Sequence, residues 1–357
     1  IIGVLLVAVI YFAWDNFNPP ASNTNTGAQT TQQVASSGYA AKSIAVLPFA
    51  DMSQAKDQQW FADGLAEEIL NALAKTPDLL VSSRTSSFRY KGSTLDIPDI
   101  AAELGVAHVL EGSVRSSANR IRVTAQLIRA SDGFHLWSEN YDRDVADMIE
   151  IQEDLALSIA KALETTMDPV ALAQMASVGT RSVEAYEQFL RGQAANLESY
   201  IGQTEKAGHP YVRAYEYFER ARTIDTGFAA AHRMAAAFWK NQLDPTAIRT
   251  GLTEVLPKQM LANFNERIDQ AISTASSSID KQGYMAEKAA VELRLRDAIR
   301  LFREYLKERP NDNEGWQALN DAAGLASDMD SRKAVMVHWR ERGLTDLYAV
   351  VNYVNDA

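Results

Sequence analysis

Cysteine is absent from all 357 residues. That excludes disulfides, thiolate nucleophiles and cysteine-ligated metals. It does not identify a compartment, because exported proteins also lack cysteine. Histidine is scarce too. His108, His135, His209, His232 and His338 fall in no H-E-x-x-H or other metal spacing. No Walker A loop, G-x-S-x-G elbow or dinucleotide fingerprint occurs. No catalytic residue, cofactor or metal is therefore expected. Lys and Arg number 35 against 46 Asp and Glu, a net charge of -11. Nucleic-acid binding needs a concentrated basic surface, so this segment is not expected to bind DNA or RNA. The chain is 46% hydrophobic and 23% charged, which supports a packed core. Its length suits two or three domains of roughly 100–200 residues each.

Long apolar runs are missing with one exception, "IIGVLLVAVIYFAW" at Ile1–Trp14. A membrane-spanning helix needs about 20 apolar residues. These fourteen read as the second part of such a helix, with Tyr11 and Trp14 at headgroup level. A buried core helix is the alternative, and no small-residue cleavage pattern marks a signal peptide. Residues 15–42 are rich in Asn, Thr, Ser, Gln and Ala and include Pro19 and Pro20. They read as a disordered linker. No Lys or Arg follows Trp14 until Lys42, so the C-terminal side is expected outside the cytoplasm. In a bacterium that means a single-pass inner-membrane anchor with the remainder in the periplasm.

Residues 43–168 read as an α/β domain, a mixed sheet with helices. "SIAVLPFA" (Ser43–Ala50) suits a buried strand. Phe61, Leu65, Ile69 and Leu73 recur every four residues and predict a helix over Gln58–Lys75. "LLVSS" (Leu79–Ser83) reads as a second strand. Asp96, Pro98 and Gly105 bound a short helix. Strands are expected at Ala107–Arg115, Arg120–Ala130 and Phe134–Asp142. In the second of these Ile121, Val123, Ala125 and Leu127 face the core, opposite Arg122, Thr124, Gln126 and Ile128. A helix is expected over Val145–Thr166, with Met148, Leu155, Ile159 and Leu163 on one side.

The blocks "IAVLPFADMS", "FADGLAEEILNALAK", "VSSRTSSFRYKG", "IAAELGVAHVLEGSVR" and "AQLIRASDGFHLWSENYDRD" resemble the TolB-like amino-terminal domain found in many bacterial membrane-anchored regulators. The resemblance covers nearly all of Ser43–Leu163. It implies an interaction or sensing module without assigned catalysis.

Residues 180–357 read as an all-α solenoid. Ala214, Phe218, Ala221 and Ile224 give small-large-small packing on one helix. Ala298, Phe302 and Tyr305 repeat it, and Phe264, Ile268 and Ala271 lie 34 residues earlier. That is the tetratricopeptide (TPR) period. Ala214 and Phe264 are 50 apart, so a loop of 16 extra residues is expected around Asn241–Pro257. Val183–Ala195 resembles the first helix of such an array. Each helix pair buries its apolar face on a neighbour. The resemblance implies protein or peptide partners for the array, with the groove residues unassigned.

Three clusters bear on chemistry. His135, Trp137 and Glu139 share a strand face, where a satisfied, packed imidazole is expected. Asp63, Glu67 and Glu68 lie close together on one helix. Paired carboxylates can do acid–base work when burial separates their pKa values, but a solvated acidic face is expected. "RTSSFRYKG" (Arg84–Gly92) could hold an anion or a partner's backbone, and an ordinary loop is expected.

The expected function is the extracytoplasmic sensing region of a single-span bacterial regulator. For chains of this architecture the resemblance implies a cytoplasmic output module outside this sequence. That module is a winged-helix DNA-binding domain of the CadC/ToxR type or a class III nucleotide cyclase. Binding outside would change the association of chains, a homodimer among them. The alternative is an envelope scaffold tethered to the inner membrane without signalling.

Overall fold

The computed structural model describes residues 40–117, 119–164, 177–200, 209–243 and 255–341. Ile1–Trp14, nearly all of the expected linker and the end of the expected solenoid lie outside them. Among the described residues no helix is long and apolar enough to cross a membrane.

The first half is a mixed sheet with helices. In chain order it contains β1 (Ser43–Val46), β2 (Ala50–Asp51), α1 (Gln59–Ala74), β3 (Leu80–Val81), α2 (Arg84–Phe88), α3 (Ile97–Leu104), β4 (His108–Ser117), β5 (Arg120–Arg129), β6 (His135–Asp144) and α4 (Met148–Ala162). A 3-10 turn at Val145–Asp147 leads into α4. The sheet order is β3-β1-β4-β5-β6, with β2 on β4. β1 runs parallel to β3 and β4, and β4, β5 and β6 are antiparallel.

Alternation along the strands sorts their two faces. Ile44 and Val46 of β1 join Ile121, Val123, Ala125 and Leu127 of β5 in the main core, under α1 and α4. Ala45 and Leu47 turn the other way, onto Ile100, Ala101 and Val109. That second face is covered only at one end, so Arg120 and Arg122 remain exposed. Ile128, expected on the polar face, is 3% exposed. It pairs with Val109 at the covered end, beside a register shift against β6.

α1 forms as its period predicts. Phe61, Leu65, Ile69 and Leu73 are buried, and each such side chain contributes about 2 kcal/mol. α3 ends at Gly105, whose φ of 68° is left-handed backbone that favours glycine. Asp96 occupies the N-cap of α3, but its side chain makes no capping hydrogen bond. The expected strand at Leu79–Ser83 shortens to β3, because Ser83 instead caps α2 and accepts from the Ser86 N–H.

The second half is helical: α5 (Val183–Tyr200), α6 (Pro210–Ile224), α7 (Ala229–Gln242), α8 (Pro257–Thr274), α9 (Ser278–Val291), α10 (Leu295–Glu308), α11 (Asn313–Leu325) and α12 (Met329–Glu341). Each packs on the next where both are described. Ala214, Phe218 and Ala221 are buried on α6, Phe264, Ile268 and Ala271 on α8, and Ala298 and Phe302 on α10. Ile224 is the exception, 40% exposed, because it is the last residue of α6 and lies beyond the packed turn. The expected 16-residue insertion falls largely outside the described residues.

One apolar cluster runs through both halves. It joins Ile44, Leu65 and Ile159 to Tyr186, Leu190, Phe218 and Phe228. The described residues all fall within one compact unit. The helices therefore lie against the α/β layer, with α1 between the sheet and α5.

Candidate functional site

The position of α1 decides the state of its carboxylates. A helix on a sheet ordinarily turns its polar face to water. Here α5 covers part of that face. Gly64 permits the approach: a Cβ there would lie 2.9 Å from Leu190 Cβ and 3.1 Å from the Leu190 carbonyl oxygen. Asp63 and Glu67 are consequently 5% and 4% exposed, and Glu68 is half-buried. The solvated acidic face expected from the sequence is a seam between two layers.

Buried carboxylates need charged or hydrogen-bonding partners. The "RTSSFRYKG" block supplies two of them. It folds as helix α2 and a following turn, where an ordinary loop was expected. Lys91 Nζ lies 2.5 Å from Asp63 Oδ2, and Gln59 Nε2 donates to Asp63 Oδ1 at 2.8 Å. The Arg84 guanidinium pairs with Glu67. Glu68 accepts from Gln193 Nε2 of α5 at 3.0 Å. Two motifs that looked independent in the sequence are thus halves of one cluster. Burial pushes the Glu67 carboxyl up to about 7, against the opposing pull of Arg84. Burial also raises Asp63 and Glu68 above the usual carboxylate range.

The helical half presents charges of its own. Arg233 of α7 lies 2.9 Å from Glu287 of α9 and 3.2 Å from Glu314 of α11. Alternate helices therefore turn their polar faces to a common side. Glu287 holds the Arg233 guanidinium firmly charged, and Arg233 holds the Glu314 carboxyl below its ordinary value. The Glu314 side chain stays 75% exposed, so this pair is screened by solvent and weak. The Glu314 charge also acts on Arg84 and Glu67, which places the start of α11 near the α1–α2 cluster.

Two further bonds join the halves: Arg181, just before α5, pairs with Glu153 of α4 at 2.9 Å, and Asn311 reaches back from the turn before α11. Its Nδ2 donates to the Thr76 and Leu79 carbonyls at 2.7 and 2.6 Å. The turn that carries it is held by Tyr305 Oη to Asp312 at 2.6 Å and by Trp316 Nε1 to the Pro310 carbonyl at 2.9 Å. Asn311, Gln193, Arg233 and Glu287 were not singled out from the sequence. The available signal was Gly64, a glycine inside a strongly apolar helix, which marks a close approach.

Burial does raise these carboxyl pKa values, as acid–base work requires. Each carboxylate is nonetheless bonded to a donor of its own chain: Asp63 and Glu67 tie α1 to α2 and the turn after it, and Glu68 ties α1 to α5. The strand cluster differs from its expectation: His135 is exposed, on edge strand β6, with Leu136 beside it 43% exposed. His108 sits on the Ser43 carbonyl at 3.1 Å and His232 on the Thr226 carbonyl at 2.9 Å. His338 stacks on Trp316 with ring centroids 3.9 Å apart. Among the described residues no group of three or more His, Asp or Glu could hold a metal ion.

Residues 40–159 match the family described as HilA/YgeH-like transcriptional regulator, second domain. The chain is also 37% identical over 241 residues to a protein of Rhizobium meliloti (strain 1021) named "Putative adenylate cyclase 3". That match takes in 68% of this chain and 38% of the relative, so the chain spans well under half of the relative's length. TolB from Acinetobacter baumannii is similar at 17% identity and TM-score 0.27, over 34% of this chain and 28% of that one. Lipoprotein GNA1162 from Neisseria meningitidis is similar at 18% identity and TM-score 0.25, over 29% of this chain and 80% of that one. Both structural likenesses are too remote to carry an argument. The α/β half of this chain is regulator-like in sequence, and 241 residues of the chain match a relative named as a putative adenylate cyclase.

Proposed function

We propose that this chain is the regulatory, protein-interaction region of a larger signalling protein whose output module it does not contain. The observation that carries the reading is the seam. The α/β segment, which matches transcriptional regulators, is bonded to the helical array through Glu68–Gln193 and through Asn311. A partner that shifts the array must therefore strain or release α1. In this reading the array is tetratricopeptide-like and takes protein or peptide partners. Ile1–Trp14 anchors the chain in a bacterial inner membrane, and the remainder lies in the periplasm. The output is a winged-helix domain or a nucleotide cyclase. The regulator match supports the first and the named relative supports the second.

The test places Asn311→Ala in the longer protein and measures its output, as reporter transcription or cyclic-nucleotide formation. Asp142→Asn, on the open sheet face, serves as control. A changed output with Asn311→Ala at unchanged protein level, and none with the control, supports the reading. Wild-type output from both variants overturns it. Protease added to spheroplasts tests the placement: removal of the folded region is expected, and protection contradicts it.

A further inference from the structure

α10 carries a stripe of positive charge that the seam does not use. Arg296, Arg300, Arg303 and Lys307 recur at offsets of four, seven and eleven residues, which keeps them on one helix face. The opposite face, with Ala298, Phe302 and Leu306, is buried. All four cations line one cleft of about 520 Å³ between α10 and the turn that joins α11 to α12.

Cationic helix faces are commonly neutralised by carboxylates one turn away. That happens on α5 and α6, where Arg191 pairs with Glu187 and Arg222 with Glu219. In the cleft it happens only at Arg300, and loosely. Arg300 reaches Asp297 and Glu304 only at 3.9 and 3.6 Å. Arg296, Arg303 and Lys307 make no ion pair within 4.0 Å among the described residues. The two lining carboxylates are shared between the cleft cations and other partners: Glu304 also faces Arg300, and the Arg303 charge acts on Asp328. Glu304 accepts from Gln282 at 2.9 Å. Asp328 accepts from the Ser331 hydroxyl and N–H at 2.7 and 3.1 Å. A chain of net charge -11 thus keeps four clustered cations that its own carboxylates neutralise only in part. The turns beside the cleft also expose large apolar side chains: Leu293 and Leu325 are each 70% exposed and Met329 is 50% exposed.

We propose that this cleft docks an acidic, leucine-bearing segment of a partner protein, with carboxylates on the α10 cations and apolar side chains on Leu293 and Leu325. Charge complementarity favours an acidic occupant. The inward-facing Glu304 and Asp328 disfavour a flat anionic lipid surface and suit a peptide whose backbone N–H groups they can accept. The proposal does not depend on what the seam transmits.

Fluorescence anisotropy of the whole chain with a short fluorescein-labelled glutamate–leucine peptide tests it. Binding that weakens with added salt is expected. The double variant Arg303→Glu, Lys307→Glu should weaken it at least about tenfold. Arg303→Gln, Lys307→Gln should give an intermediate loss, and Arg120→Glu on the sheet should leave it unchanged. Far-UV circular dichroism confirms that each variant folds. A peptide with serine in place of leucine should bind more weakly. No binding by the wild-type chain at low salt, or equal loss in the Arg120→Glu control, overturns the proposal. So does binding to phosphatidylglycerol vesicles in place of the peptide, which would assign the cleft to a membrane.

Discussion

Asp142 and Glu67 each hold arginine, in different surroundings. Asp142 sits on the open face of the sheet, with Arg120 at 2.6 Å and Arg122 at 2.5 Å, and all three side chains are at least 36% exposed. Glu67 meets Arg84 between α1, α2 and the helical layer, with side-chain exposures of 6% and 16%. The first geometry is at least as good as the second. Its contribution is still the smaller, because water and salt screen an exposed pair. Removing one partner of the buried pair leaves the other charge stranded. The same pairing chemistry decorates the sheet in one place and, in the other, fastens α2 to α1 beneath the helical layer.

Arg84→Met should have the largest effect. It strands Glu67 and is expected to cost about 4 kcal/mol at pH 8, read from urea denaturation. The loss should shrink at pH 5, where Glu67 takes up a proton. A loss of the same size as for Asp142→Asn would erase the contrast between the two networks.

The pH dependence of the intact chain comes next. The Glu67 carboxyl moves from an ordinary 4.5 to about 7 on folding, so the folded state binds its proton more tightly. Its contribution to stability is full below about pH 4 and is lost as pH rises through about 7, roughly 3 kcal/mol in all. Asp63 and Glu68 shift in the same direction and steepen the decline. Urea midpoints between pH 5 and 8 should fall for the wild-type chain and fall less for Glu67→Gln. Parallel curves would show that Glu67 is not the titrating group.

Asn311→Ala removes two donated bonds and leaves two carbonyls without that donor, about 2 kcal/mol. Hydrogen exchange should quicken in the turn before α11 and at Thr76–Leu79 together. Quickening on one side only would mean that the two halves are held elsewhere. Asp142→Asn is expected to cost at most about 1 kcal/mol, and less at high salt.

The contrast also explains what could be read from the sequence. β5 was legible because alternation names the buried face of a strand. α1, α8 and α10 were legible because apolar residues recur at helical spacing. The fate of Asp63 and Glu67 was not legible. The pattern of one helix shows which face is polar but not what lies over it, and α5 starts 124 residues after α1 does, at Val183 against Gln59. Arg84 and Lys91 were noticed as a basic block, yet nothing local paired them with α1. Ile224 and His135 misled for a related reason. One sits at a helix end and one on an edge strand, where periodicity continues after the covering layer has stopped.

Thermal unfolding of the whole chain tests the central claim, that the buried seam makes one body of the α/β layer and the helices. Calorimetry and far-UV circular dichroism should give a single coincident transition, which Arg84→Met lowers for both halves together. Two separable transitions in the wild-type chain, with Arg84→Met moving only one of them, would contradict it.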